Sequence, residues 1–232
     1  MATIATNLQA VRGRIERAAL AAGRKPGDIA LVAVSKTFAA EHIAQAHAAG
    51  QRAFGENYAR EAVEKITFLA RLPLPPPLEW HFIGPIQGNK ASLIAKHFQW
   101  AHSVERERIA QRLDAARPAG LPPLDICIQV NISGETSKSG VSPGEEIGLA
   151  EAIARLPRLR LRGLMAVPEP TSDVKLQHRR FALLCELKEK LVSRGHALDT
   201  LSMGMSDDLE AAIAEGATML RVGTAIFGKR DG

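Results

Sequence analysis

Lys36 stands at the end of Ile29-Ala30-Leu31-Val32-Ala33-Val34-Ser35-Lys36, an apolar, β-branched run of the kind that forms a buried strand. At such an exit an ammonium group sits between apolar walls and an open mouth. Desolvation disfavours its charge, and an amine relieved of its proton attacks carbonyl carbon to form a Schiff base. A strand-end lysine that simply reaches solvent fits the same eight residues. Near the other end of the chain, Leu201-Ser202-Met203-Gly204-Met205-Ser206-Asp207-Asp208 reads as strand, tight turn and helix start. Ser206 is expected to be the N-cap, with Asp207 and Asp208 in the first turn. Gly204 is expected to let backbone approach a ligand closely. Arg221-Val222-Gly223-Thr224-Ala225 follows, and the hydroxyl of Ser206 with the amides of Gly223 and Thr224 would make a cup for a phosphate. Asp207 and Asp208 oppose an anion and must point away. A capped helix and a glycine-containing strand end account for the same residues without a ligand.

These groups need a scaffold that brings residues 36, 206 and 221–224 together. Strand-like runs recur at Ile29–Lys36, Ala53–Asn57, Trp80–Gly84, Trp100–Val104, Leu124–Ile132, Leu159–Val167, Thr200–Gly204 and Met219–Phe227. Each of the first seven is followed by a helical pattern, clearest at Ala39–Ala49, Tyr58–Leu72, Asn89–Phe98, Glu105–Ala116, Pro143–Leu156, Asp173–Arg194 and Ser206–Glu215. Eight such units predict an α/β protein with a single (β/α)8 TIM-type barrel, because a doubly wound open sheet usually has about five or six strands. An extra amphipathic N-terminal helix, about Thr3 to Ala22, ends at Gly23 and Pro26. Residues 1–25 are expected to pack on the barrel, and residues 1–232 to make one domain. The proline-rich stretch Pro73–Pro77 reads as a stiff connector.

In this fold, sites lie at the C-terminal ends of the strands, and phosphate sites at the loops after strands seven and eight. The strand exits carry Lys36, Asn57, Gly84, His102 with Ser103, Asn131, Met165 with Ala166, Gly204 with Ser206, and Arg221 with Gly223 and Thr224. Asn57 is also a plausible helix cap and Asn131 a turn residue. A Schiff-base lysine facing a phosphate cup across one mouth suggests pyridoxal 5′-phosphate, whose aldehyde needs an amine and whose phosphate needs amides and a hydroxyl. Arg221 is the candidate partner of the pyridine nitrogen. A guanidinium only donates, so it keeps that nitrogen unprotonated and weakens the ring as an electron sink.

Composition narrows the alternatives. The 232 residues carry a net charge of +5, but Lys and Arg are scattered among acids, and one Tyr, two Trp and seven Phe form no basic–aromatic alternation, so nucleic acid is not an expected partner. No apolar run approaches the roughly 20 residues of a membrane span, and Arg12, Arg14, Glu16 and Arg17 exclude a signal peptide within the first 20 residues. Cys127 and Cys185 form no CxxC pair and suit buried free thiols in a reducing, cytoplasmic setting. His81 is expected to be a hydrogen-bonded barrel residue, since no Cys/His spacing supports a metal. Lys90 and Lys138 lie on the mouth side and read as solvated loop lysines.

The chain resembles the YggS/PROSC family of pyridoxal phosphate homeostasis proteins. The resemblance is carried by Val32-Ala33-Val34-Ser35-Lys36, Phe54-Gly55-Glu56-Asn57-Tyr58, Trp80-His81-Phe82-Ile83-Gly84 with Gln87, Asn89 and Lys90, Asn131-Ile132-Ser133, Ser137-Lys138-Ser139-Gly140, Arg162-Gly163-Leu164-Met165, Leu201 to Asp208, and Arg221 to Gly228. It implies the fold of the alanine racemase N-terminal domain, Lys36 as the Schiff-base lysine, Ser206, Gly223 and Thr224 at the phosphate, and Arg221 at the pyridine nitrogen. It further implies Asn57 near the ring hydroxyl side and Met165 near the ring. Family members buffer or deliver the cofactor in the cytosol without established turnover, so the expected partners are pyridoxal phosphate and dependent apo-enzymes, with the protein a monomer. A weakly racemising enzyme and a Schiff-base aldolase compete with that reading. Racemisation needs an acid–base group on each face of the α-carbon. The racemases take a tyrosine from a second β domain, whereas Gly232 here follows the last barrel strand directly and Tyr58 is the sole tyrosine.

Overall fold

In a computed structural model that describes residues 3–74, 77–135 and 139–228, eight parallel strands close into a barrel in sequence order. The strands are β1 (Ala30–Val34), β2 (Ala53–Glu56), β3 (Glu79–Phe82), β4 (Trp100–Val104), β5 (Leu124–Gln129), β6 (Leu159–Met165), β7 (Thr200–Ser202) and β8 (Met219–Val222). The helices are α1 (Ile4–Ala21), α2 (Ala40–Ala48), α3 (Ala59–Leu69), α4 (Ala91–His97), α5 (Glu107–Ala116), α6 (Glu146–Ile153), α7 (Val174–Ser193), α8 (Leu209–Ala214) and α9 (Thr224–Phe227). The seam closes between the first and last strands, with Val32 opposite Arg221 and Ala33 opposite Val222.

Alternation along the strands sorts the side chains. Ala33, Phe54, Ile126, Leu201 and Leu220 belong to the large core shared with the helices. Val32, Trp100, Cys127, Met165 and Met219 form a separate buried cluster, the packed interior of the barrel. Helix α1 buries Leu8, Val11, Ile15 and Ala19, one stripe at three- and four-residue spacing, and lies against α2, α8 and α9. Thr3 caps it, its side chain accepting from the Thr6 amide. Cys127 is buried and Cys185 half-buried, and neither is in a disulfide. No helix among the described residues is long and apolar enough to cross a membrane. Lys138, Ser137 and the middle of the proline-rich connector lie outside the described residues.

Two expectations from sequence are corrected here. The last strand ends at Val222 rather than Phe227, and Thr224–Phe227 form one helical turn, with the amides of Ile226 and Phe227 both donating to Gly223 O at 2.9 Å. A short apolar run is ambiguous between the two structures. Packing on α1, where Asn7 Nδ2 donates to Ile226 O at 2.9 Å, accompanies the helical outcome. Gly204 is not a ligand-facing glycine. It is buried at φ +92°, and a Cβ there would lie 2.6 Å from Ala212 Cβ and 2.7 Å from Leu220 Cδ2.

Gly204→Ala should therefore destabilise the protein by about 1–3 kcal/mol, from overpacking and a left-handed backbone together. Denaturant unfolding would register it as a lower midpoint at unchanged slope.

Candidate functional site

Lys36 sits one residue beyond a clamp. The Ser35 amide donates to Gly55 O at 3.0 Å, and its hydroxyl donates to Glu56 Oε1 at 2.7 Å. Lys65 Nζ donates to the same carboxylate oxygen and to Ser35 O, both at 2.9 Å, and reaches Glu61 Oε1 at 2.6 Å. Glu61 in turn accepts from the Thr37 amide at 2.7 Å. Thr37 has φ +68°, the one non-glycine residue in the left-handed region among those described. A buried ion pair thus fixes the backbone on both sides of Lys36 and holds a turn that would otherwise be costly. Burial pushes the Glu56 carboxyl above its ordinary pKa, against the opposing pull of Lys65 and Ser35.

The clamp presents Lys36 to a cavity of about 480 Å³ at the C-terminal mouth of the barrel. Asn57, Ser206, Arg221, Gly223 and Thr224 border the same cavity. Six of the seven residues expected from sequence therefore meet. Met165 does not: it is 1% exposed and packed inside the barrel with Val32, Trp100, Cys127 and Met219. Its strand position is right for the mouth, but the interior layer takes the side chain.

Ser206 reaches the wall without being the helix cap. Asp208 is the N-cap residue of α8, and its Oδ1 accepts from the Met205 amide at 2.6 Å, which turns that carboxylate back into its own loop. Burial raises the Asp208 pKa despite that bond. Asp207 was expected to point away, yet it borders the cavity. Arg14 borders it too, from α1, while donating twice to Glu210 at 2.9 Å. A helix arginine in sequence gives no sign of that position. Ile83, Val167 and Ala225 add apolar wall, and Lys90 begins α4 away from the cavity.

Asn57 Oδ1 is buried without a hydrogen-bond partner, an acceptor left over at the wall. Asn57 is held by Gly84, where a Cβ would come within 2.4 Å of Asn57 O. Arg221 is 4% exposed. Its Nη1 donates to Ser202 Oγ at 2.6 Å and its Nη2 to Ala166 O at 2.8 Å. Burial lowers its pKa to about 10, opposed by the charge of Asp208, and the guanidinium remains a cation at neutral pH. The cavity is thus bordered by a fixed donor, by an unmatched polar amide and by a lysine, with apolar side chains among them. An aromatic ring with polar substituents on several sides fits such a set.

The sequence matches the family described as alanine racemase, N-terminal domain, over residues 6–231. A relative from Pseudomonas aeruginosa named pyridoxal phosphate homeostasis protein is 60% identical over 231 residues, covering 100% of this chain and 97% of that protein. The chain belongs to this family. The protein of the same name from Escherichia coli K12 is 54% identical, over 100% of this chain and 98% of its own. Among solved structures, PipY from Synechococcus elongatus with PLP bound superposes with a TM-score of 0.83 at 34% identity, covering 97% of this chain and 100% of PipY.

The clamp behind Lys36 is testable by itself. Lys65→Met leaves Glu56 buried without its cation and should cost about 3–5 kcal/mol at neutral pH. The Glu56 pKa then rises further in the folded state while the unfolded value stays ordinary. The folded protein takes up that proton first as pH falls, so the loss should shrink on acidification. Unfolding curves of wild type and variant across the acid range would check both.

Proposed function

We propose that the chain binds pyridoxal 5′-phosphate in the mouth cavity, with Lys36 as the covalent anchor, and that it serves the homeostasis of that cofactor by holding and releasing it rather than by turning over a substrate. The observation that carries the reading is the meeting of Lys36, Asn57, Ser206, Arg221, Gly223 and Thr224 around one cavity, in a chain whose relatives are named for pyridoxal phosphate homeostasis. The unmatched Asn57 acceptor and the fixed guanidinium support the fit. When bound, the cofactor supplies an aldehyde for a lysine amine and a ring able to withdraw electrons.

In this reading each residue has a separate task. Lys36 offers its amine to the aldehyde carbon, and the clamp of Ser35, Glu56 and Lys65 limits where that amine can go. Ser206 donates its hydroxyl to the phosphate, with the Gly223 and Thr224 amides beside it; Gly223 lies so close to β1 that a Cβ would be 3.2 Å from Val34 O. Asn57 orients the ring on its hydroxyl side. Arg221 donates toward the ring nitrogen and keeps a proton off it, which weakens electron withdrawal and favours storage over carbanion chemistry. The same reading has the protein acting in the cytoplasm as a monomer and passing cofactor to apo-enzymes.

Three measurements test this. Borohydride reduction should fix cofactor on wild type and leave Lys36→Ala unlabelled; equal labelling of the variant places the anchor elsewhere. Ser206→Ala should weaken pyridoxal phosphate by about 1.5–3 kcal/mol, roughly tenfold to hundredfold, while barely affecting unphosphorylated pyridoxal. Loaded protein should reactivate a pyridoxal phosphate-dependent apo-enzyme faster than an equal amount of free cofactor does, with α-proton exchange of amino acids far below about 1 s⁻¹, the low end of ordinary turnover. Exchange at enzymatic rates that vanishes in Lys36→Ala overturns the carrier reading.

A further inference from the structure

A file of buried polar side chains runs from the mouth cavity through the barrel to its opposite end. Arg221 Nη1 donates to Ser202 Oγ at 2.6 Å. Ser202 Oγ lies 2.8 Å from His102 Nδ1, and His102 Nε2 lies 2.9 Å from His81 Nδ1. His81 Nε2 is 3.2 Å from Glu79 Oε1, within ion-pair distance, but the geometry is not that of a hydrogen bond, and Nε2 is buried without a hydrogen-bond partner. Ser202, His102 and His81 are at most 1% exposed, whereas the Glu79 side chain is 46% exposed at the start of β3. His81 stacks on Trp100 at 5.5 Å with 13° between the planes, and Trp100 carries the Arg162 guanidinium 4.8 Å above its ring.

The Arg221 end fixes the direction of every link, because a guanidinium only donates. Ser202 accepts from Arg221 and has its own proton to give, so His102 Nδ1 accepts it. A neutral His102 then carries its proton on Nε2 and donates to His81 Nδ1. His81 is left with its proton on Nε2, the nitrogen that faces Glu79. Burial, with the neighbouring charge of Arg221, holds the His102 imidazolium pKa well below the ordinary range, which agrees with a neutral ring. Reversing the link between Ser202 and His102 would leave the buried hydroxyl proton unmatched, at a cost of about 1–3 kcal/mol.

We propose that Ser202, His102 and His81 are positioning residues for Arg221, a one-way hydrogen-bond relay that ends beside Glu79 and holds the guanidinium in place as the donor of the mouth cavity. The role toward the cofactor rests on the reading under Proposed function; the relay itself does not. It explains why a barrel interior otherwise built from Val32, Trp100, Cys127, Met165 and Met219 admits two imidazoles and a hydroxyl. It also makes the cavity answer to a residue at the far mouth.

The test uses full-length protein labelled with ¹⁵N at histidine and arginine, first without cofactor. Long-range ¹H–¹⁵N spectra should show His81 and His102 neutral with the proton on Nε2 in both, and slow solvent exchange of the Arg221 guanidinium protons. Ser202→Ala should accelerate that exchange and alter the His102 tautomer signal, and Ser202→Thr should restore both. Glu79→Leu, a change at a half-exposed position, should shift the His81 and His102 signals. With cofactor added, Ser202→Ala should weaken pyridoxal phosphate roughly tenfold, and Glu79→Leu should move the visible spectrum of the bound form. A proton on Nδ1 of either ring in wild type, or Arg221 exchange unchanged in Ser202→Ala, overturns the relay. Failure of wild type to bind pyridoxal phosphate through Lys36 overturns the cofactor reading alone, because the tautomer and exchange measurements need no ligand.

Discussion

A guanidinium enclosed in a protein must have its donors met, and the interior of this barrel is arranged around that requirement at Arg221. The residue is pinned to β8 opposite Val32 of β1, where the chain's first and last strands meet. Its charge is uncomfortable there, as its lowered pKa of about 10 records. An adjacent carboxylate would offset that cost and hold the pKa up. The structure instead spreads the load over neutral acceptors, Ser202 Oγ and Ala166 O, with Asp208 contributing only through its charge. Neutral acceptors satisfy the donors without supplying a counter-charge, so burial lowers the pKa while the group stays a cation at neutral pH. The hydroxyl then requires a partner of its own, that partner requires another, and the polar file runs on to His81, beside Glu79.

A second buried charge, Glu56, does for Lys36 what the relay does for Arg221. Lys65 and Ser35 converge on one of its oxygens, while Glu61 ties the next amide along. The cost is visible in the left-handed Thr37 and in Glu56 Oε2, which is buried without a hydrogen bond. Such local strain is sustained only where surrounding structure over-determines it. Here both the strain and the unmatched oxygen lie directly behind the residue that faces the cavity.

The barrel was legible because buried parallel strands are written as short β-branched runs, and eight of them alternate with helical patterns. Lys36 and Arg221 were legible for the same reason: a charged residue at the end of such a run has few places to go. Boundaries that depend on packing were not. Thr224–Phe227 reads as strand until Asn7 and α1 are placed against it. Ser206 looks like a cap until Asp208 is seen to take that position. Met165 occupies a mouth position in sequence but an interior layer in space. The relay was invisible as a unit because it joins residues 21 and 100 positions apart. His81 is foreseeable as a hydrogen-bonded barrel residue, yet no local pattern shows that its bond continues to Arg221.

The closing seam accounts for why fold and site coincide here. Lys36 follows β1, and Arg221 and Val222 end β8 with Gly223 and Thr224 just beyond, so the amine and the donor cluster lie almost 190 residues apart in the chain yet at the ends of neighbouring strands. Gly223 is tight against Val34, and α9 turns away at that point to pack on α1. The cavity is therefore incomplete until the last strand docks on the first and the N-terminal helix is in place. A ligand gripped from both sides of the seam favours the closed barrel over any state in which β8 is detached, by the amount its binding differs between the two. Such coupling acts in the other direction as well: loosening the seam lowers affinity without altering one contacting atom.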